Sequence, residues 1–172
     1  AVDYDGILLD LEGVLYQEGS PIPGARETVE TLIARATPLR FLTNTTTQPR
    51  HSILERLQAM GFAIKPEQLF TPALAAVGLL RRAGIKRLHL AAPAELSEDF
   101  AGFELVDAFD QADPPGAVVM GDLYRDFTWE RLNPCFSMIM AGARLVALHR
   151  NRYCTREGDL ALDLGPFVAA LE

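Results

Sequence analysis

The sequence predicts an α/β protein built on a parallel sheet, and three observations carry that reading. Short apolar runs alternate with amphipathic stretches from Gly6 to about Gly84, the pattern of βαβ units. Two of those apolar runs end in residues with chemical capacity, Asp10 and the pair Thr43-Asn44. The 172 residues are 49% hydrophobic and 23% charged, the balance of a soluble globular chain long enough to bury a core.

The elements follow in order. Ile7-Leu8-Leu9 predicts a short buried strand that ends at Asp10. Pro23-Gly24-Ala25 opens a helix in which Val29, Leu32 and Ile33 share one face, with proline near the start where its missing N–H costs nothing. Leu39–Leu42 is a second strand, running into the polar stretch Thr43-Asn44-Thr45-Thr46-Thr47. Pro49 begins a helix with Ile53, Leu54, Leu57 and Met60 inward and Gly61 as its stop. Thr71-Pro72 starts a third helix that runs through Leu79 to Gly84. A second texture begins near Ile85. Arg87–Leu90 and Ala117–Met120 read as strands, with a loop-rich stretch between them that ends in Asp113-Pro114-Pro115-Gly116. Phe127–Met140 reads as a helix and Leu145–Leu148 as a last strand. A domain change therefore falls between Thr71 and Ile85.

Charge and composition exclude several classes. Lys and Arg number 16 against 23 Asp and Glu, for a net charge of −7, which argues against nucleic acid or an anionic membrane surface as main partner. No apolar run approaches the ~20 residues that span a bilayer, and the start lacks the basic and apolar segments of a signal peptide. Cys135 and Cys154 make no metal-type pair, so the expected setting is a reduced cytoplasm. The absent initiator Met suggests a processed or trimmed chain.

In parallel α/β sheets the carboxyl ends of strands face the ligand crevice. Asp10 at such an end is placed as a nucleophile or metal ligand, and Gly13 would let the backbone approach a bound group. Thr43 and Asn44 offer a hydroxyl, an amide and backbone N–H groups, a set that suits phosphate. Asp3-Tyr4-Asp5-Gly6 is a competing acidic motif by letters. With only two residues before it, no strand can present Asp3, so Asp10 is preferred.

These residues carry a resemblance. Asp10-Leu11-Glu12-Gly13-Val14-Leu15-Tyr16 resembles motif I of the haloacid dehalogenase-like hydrolases, and Phe41-Leu42-Thr43-Asn44 resembles their motif II. Pro21–Ala25 resembles the type IIA branch, which carries a large α/β cap after motif II. Arg152-Tyr153 with Gly158–Phe167 resembles the phospholysine phosphohistidine inorganic pyrophosphate phosphatase group of that branch. The resemblance implies a Rossmann-like parallel-sheet core, here the first part at 1–75, and a cap with the start of the return to the core over 76–172. It implies that Asp10 attacks phosphorus to form an aspartyl-phosphate and that Glu12 protonates the leaving oxygen and then activates water. Asp10 and the Glu12 carbonyl would ligate Mg²⁺, while Thr43 and Asn44 hold the phosphate. The implied substrate is a small phosphoric ester, phosphoamino acid or pyrophosphate. The oligomeric state stays open, with a homodimer as one form.

The pattern departs from the family at Glu12, which stands where Asp is usual and is one methylene longer. A displacement of ~1 Å can cost ~10²-fold in rate. The family also needs a motif III Lys and a motif IV acidic pair, and the only lysines are Lys65 and Lys86. On the cap reading the core is incomplete, and these 172 residues alone are expected to hydrolyse phosphate esters poorly. A capless alternative makes Lys86 motif III and Gly121-Asp122, with Asp126, motif IV. A second alternative is a catalytically silent phosphate- or metabolite-binding module. His149-Arg150-Asn151-Arg152 with Arg156 forms a basic cluster that either meets substrate or faces solvent, and Trp129 is expected in the core.

Overall fold

The computed structural model describes residues 4–172, so Asp3 of the competing acidic motif lies outside the described residues. The chain divides into two compact units. One comprises the residues up to Thr45 together with Arg50–Thr71, and the other comprises Thr46–Pro49 together with Pro72–Glu172.

In the first unit, β1 (Ile7–Asp10) is followed by a small hairpin of β2 (Tyr16–Gln17) and β3 (Ser20–Pro21), then by α1 (Ala25–Ala34). Next come β4 (Leu39–Leu42), α2 (Arg50–Ala59) and β5 (Leu69–Phe70). Strands β1, β4 and β5 form a parallel sheet in that order. Its core joins Phe41 of the central strand to Ile53 and Leu57 of α2 and Val29 of α1. Full burial of each such side chain contributes roughly 1.5–3 kcal/mol. Ile33, expected on the buried face of α1, is 38% exposed, because Val29 and Leu32 already fill the contact with the sheet. The pair Leu69-Phe70 is too short to stand out by alternation, yet it completes the sheet.

The second unit opens with α3 (Pro72–Arg82). It continues through β6 (Arg87–Ala91), β7 (Glu104–Leu105), β8 (Ala117–Met120), α4 (Trp129–Met140) and β9 (Arg144–Ala147). All four strands are parallel, in the order β7-β6-β8-β9. Every residue of β8 is buried, the mark of a central strand covered on both faces. The loop-rich stretch before it holds a 3₁₀ segment, Ala94–Phe100, and the edge strand β7. The strand at Arg144–Ala147 is not the last. An antiparallel hairpin of β10 (Tyr153–Arg156) and β11 (Asp159–Leu162) follows, then α5 (Leu164–Leu171). The hairpin escaped the sequence reading because its apolar residues Leu160 and Leu162 are exposed, so no buried alternation marks it. Trp129, expected in the core, is 71% exposed at the first turn of α4. The fold is thus a mixed α/β architecture with parallel sheets.

Candidate active site

Asp10 is the last residue of β1 and pairs in register with Leu42, the last residue of β4. Thr43 therefore begins one residue beyond the same end of the adjacent strand, a neighbour spacing of about 4.8 Å. The topology thus brings together the two strand ends singled out in the sequence. Asp10 is exposed, and one carboxylate oxygen accepts the Leu11 N–H at 2.8 Å, which fixes its direction. Leu11 behind it is fully buried and anchors the strand end.

The chain then turns tightly. The Leu15 N–H donates to the Leu11 carbonyl and the Gly13 N–H to the Tyr16 carbonyl, both at 2.8 Å. Gly13 has φ +80°, and a Cβ there would meet nothing within 4 Å. That backbone angle is one that favours glycine. Glu12 is exposed on this turn.

Thr43 Oγ donates to Thr45 Oγ at 2.9 Å and accepts the Thr45 N–H at 3.1 Å, a local turn that holds its hydroxyl in place. The Thr43 N–H is taken by the Phe70 carbonyl at 3.3 Å. Of the N–H groups expected to be free here, that of exposed Asn44 remains without a partner among the described residues.

Sequence reasoning missed two groups beside the carboxylates. Tyr16 is 3% exposed, its hydroxyl accepts from Arg56 at 3.2 Å, and the guanidinium lies 5.4 Å from its ring centroid. Burial chiefly pushes the Tyr16 hydroxyl above its usual 10.0; Arg56 opposes this, while Glu12 and Asp10 reinforce it. The cue for Tyr16 was its place in the motif I stretch, but nothing in the sequence linked it to Arg56, forty residues on.

The exposed Asp10 carboxylate and the backbone carbonyl of exposed Glu12 supply the hard oxygens that Mg²⁺ prefers, so they fit such an ion. Among the described residues no group of three or more His, Cys, Asp or Glu is placed to hold a metal.

The second unit's own geometry speaks against the capless arrangement. Lys86 precedes β6 while Asp122 follows β8, and these strands are parallel neighbours, so the two residues sit at opposite ends of one sheet. Four to five strand residues separate the ends by about 15 Å. Asp122 is also engaged, being 5% exposed, paired with Arg156, and accepting the Tyr124 N–H at 2.9 Å.

The basic cluster dissolves into separate contacts. Arg156 pairs with Asp122 and stacks 4.3 Å from the Tyr124 ring centroid, while Arg150 meets Glu172 at 2.7 Å on the surface. His149 Nδ1 accepts the Asn151 N–H at 3.3 Å, which leaves the ring proton on Nε2, 3.5 Å from Asp163. Burial lowers the His149 pKa below 6.5, and Asp163 only partly opposes this. The unfolded chain therefore takes up that proton first as pH falls below 6.5, and stability falls with it until the folded ring also protonates. Thermal melts of wild type and His149→Gln across this range should show a shallower acid decline in the variant.

The sequence profile of the haloacid dehalogenase-like hydrolases matches residues 7–105. The human haloacid dehalogenase-like hydrolase domain-containing protein 2 is 39% identical over 166 residues, covering 96% of this chain and 61% of that protein. The zebrafish phospholysine phosphohistidine inorganic pyrophosphate phosphatase is 34% identical over 173 residues, covering 97% of this chain and 61% of its own length. This chain thus spans about three fifths of these curated relatives. Among solved structures, a hypothetical protein from Pyrococcus horikoshii superposes with TM-score 0.88 at 26% identity, covering 98% of this chain and 67% of that one. A glycerol phosphate phosphatase from Mycobacterium tuberculosis in complex with magnesium gives 0.82 at 29% identity, covering 97% and 51%. A profile match that begins on β1 and takes in both strand ends settles the kinship: the chain belongs to the haloacid dehalogenase-like hydrolases.

Proposed function

We propose that this chain carries the nucleophile-bearing part of a Mg²⁺-dependent phosphatase acting on a small phosphoric ester, phosphoamino acid or pyrophosphate. The observation that carries the reading is the register of Asp10 with Leu42, which sets an exposed carboxylate beside the Thr43-Asn44 turn. Asp10 attacks phosphorus, the P–O bond to the leaving group breaks, and an aspartyl-phosphate remains for water to hydrolyse. Glu12 gives its proton to the departing oxygen and takes one back from the water. The Thr43 hydroxyl, turning its proton from Thr45 to the substrate, and the Asn44 N–H hold the transferring oxygens. Asp10 and the Glu12 carbonyl are the residues that would hold Mg²⁺, which when bound offsets repulsion between carboxylate and phosphate.

The second unit is assigned to the cap of this family, and a reducing cytoplasm agrees with both cysteines being free. A homodimer is the assembly to test by light scattering.

The test uses a protein of the relatives' full length that contains this segment. With Mg²⁺ it should release p-nitrophenol from p-nitrophenyl phosphate, and beryllium fluoride should form an acyl-phosphate mimic on Asp10. Turnover would not occur in a silent binding module, the reading that Glu12 in place of Asp favours. Glu12→Asp should raise the rate most for poor leaving groups, which need the proton, and little for p-nitrophenol. Equal effects on both substrate types would remove Glu12 from the acid's role.

A further inference from the structure

We infer that the second unit holds a ligand site of its own, for a small zwitterion bearing an ammonium and a carboxylate, at the carboxyl ends of β6, β7 and β8. In an open parallel sheet, ligands bind outside the strand carboxyl ends where successive connections leave in opposite directions. Here the chain leaves β6 for β7 on one side and then crosses back to β8 on the other, so the switch lies between β6 and β8. A cavity of about 270 Å³ opens there. It is walled by His89 of β6, Asp107 after β7, Leu123 after β8, and Glu130, Arg131 and Pro134 of α4. That size suits an amino acid and falls just short of drug-sized pockets, about 300–1,000 Å³.

The wall is rich in acceptors. His89 Nδ1 lies 2.7 Å from the Val106 carbonyl, which can only accept, so Nδ1 carries a proton, and in that tautomer Nε2 offers a lone pair. Pro134 sits inside α4 without an N–H, which deprives the Glu130 carbonyl one turn earlier of its helical donor. The exposed carboxylates of Asp107 and Glu130 add two anionic acceptors. Against these stands one strong donor, the exposed guanidinium of Arg131, with Leu123 and Pro134 as apolar surface. An ammonium offers the N–H groups that the acceptors lack, and a carboxylate takes Arg131 in a two-point contact. Neither charge alone uses both sides of the wall.

The probes are L-leucine, isoamylamine, which keeps only the ammonium, and 4-methylpentanoate, which keeps only the carboxylate. Each is titrated into the ¹⁵N-labelled chain while the His89 imidazole nitrogens are followed by NMR. L-Leucine should move the Nε2 signal saturably, with a Kd of about 1 mM or tighter. Each single-charge probe, and each of Glu130→Gln and Arg131→Gln with L-leucine, should bind at least ~10-fold more weakly. Both positions are exposed on α4, so these variants should fold, and Arg125→Gln, outside the cavity, should bind as wild type. No saturable change with L-leucine would overturn the site. Equal affinity for isoamylamine, or indifference to the α4 variants, would overturn the assignment of a zwitterion. The site uses neither Asp10 nor Thr43, so its failure leaves the phosphatase reading intact.

Discussion

Asp10→Asn should abolish turnover of p-nitrophenyl phosphate in a protein of the relatives' full length, lowering kcat by at least about 10³-fold while leaving the fold unchanged. The amide is nearly isosteric and can still accept the Leu11 N–H, so the strand end keeps its geometry. What it loses is nucleophilicity. Glu12 is the other carboxylate on this turn, but it lies outside β1 and does not share the register that sets Asp10 beside Leu42. The checks are steady-state kinetics beside a circular-dichroism melt. A kcat within tenfold of wild type would remove Asp10 as the nucleophile, whatever the melt shows.

Asp122→Ala should cost the chain about 3 kcal/mol of unfolding free energy, read by denaturant titration. The carboxylate is 5% exposed, it pairs with Arg156, and it also accepts the Tyr124 N–H. Removing it strands a guanidinium against the Tyr124 ring and leaves that N–H without its acceptor. Arg156 is 26% exposed, so water can compensate in part, which holds the cost at the lower end for a broken buried pair. Removing both charges in Asp122→Ala/Arg156→Met should recover much of the loss, because the larger penalty belongs to the abandoned charge rather than the missing attraction. A single variant within ~0.5 kcal/mol of wild type would mean that the pair carries no weight.

The part of this fold written into local pattern was legible. The apolar runs Ile7–Leu9 of β1 and Ala117–Met120 of β8 are continuous, β4 and β6 set apolar residues around Arg40 and His89, and α2 shows its inward face as Ile53 and Leu57. What escaped depends on distant partners. Strand β5 is two residues long and exists because β4 offers an edge, while Leu160 and Leu162 in the hairpin face outward. The candidate site divides the same way. Asp10 and Thr43 were visible because each ends a strand, whereas Tyr16–Arg56 and Asp122–Arg156 join residues 40 and 34 positions apart, with no periodicity to announce them. The basic cluster misled for the converse reason, since neighbours in sequence face different partners in space.

The tetrapeptide Thr46–Pro49 belongs to the second unit although the first unit's residues flank it on both sides. The hydroxyl of Thr46, 2% exposed, accepts the Asp122 N–H at 3.1 Å. The second unit is therefore not a cassette that recombination or protein engineering could lift out by one cut before Pro72. A graft of 72–172 onto another scaffold would leave the Asp122 amide buried with nothing to receive it. An exchange between relatives has to carry two separate stretches of gene, and the shorter must travel with the longer.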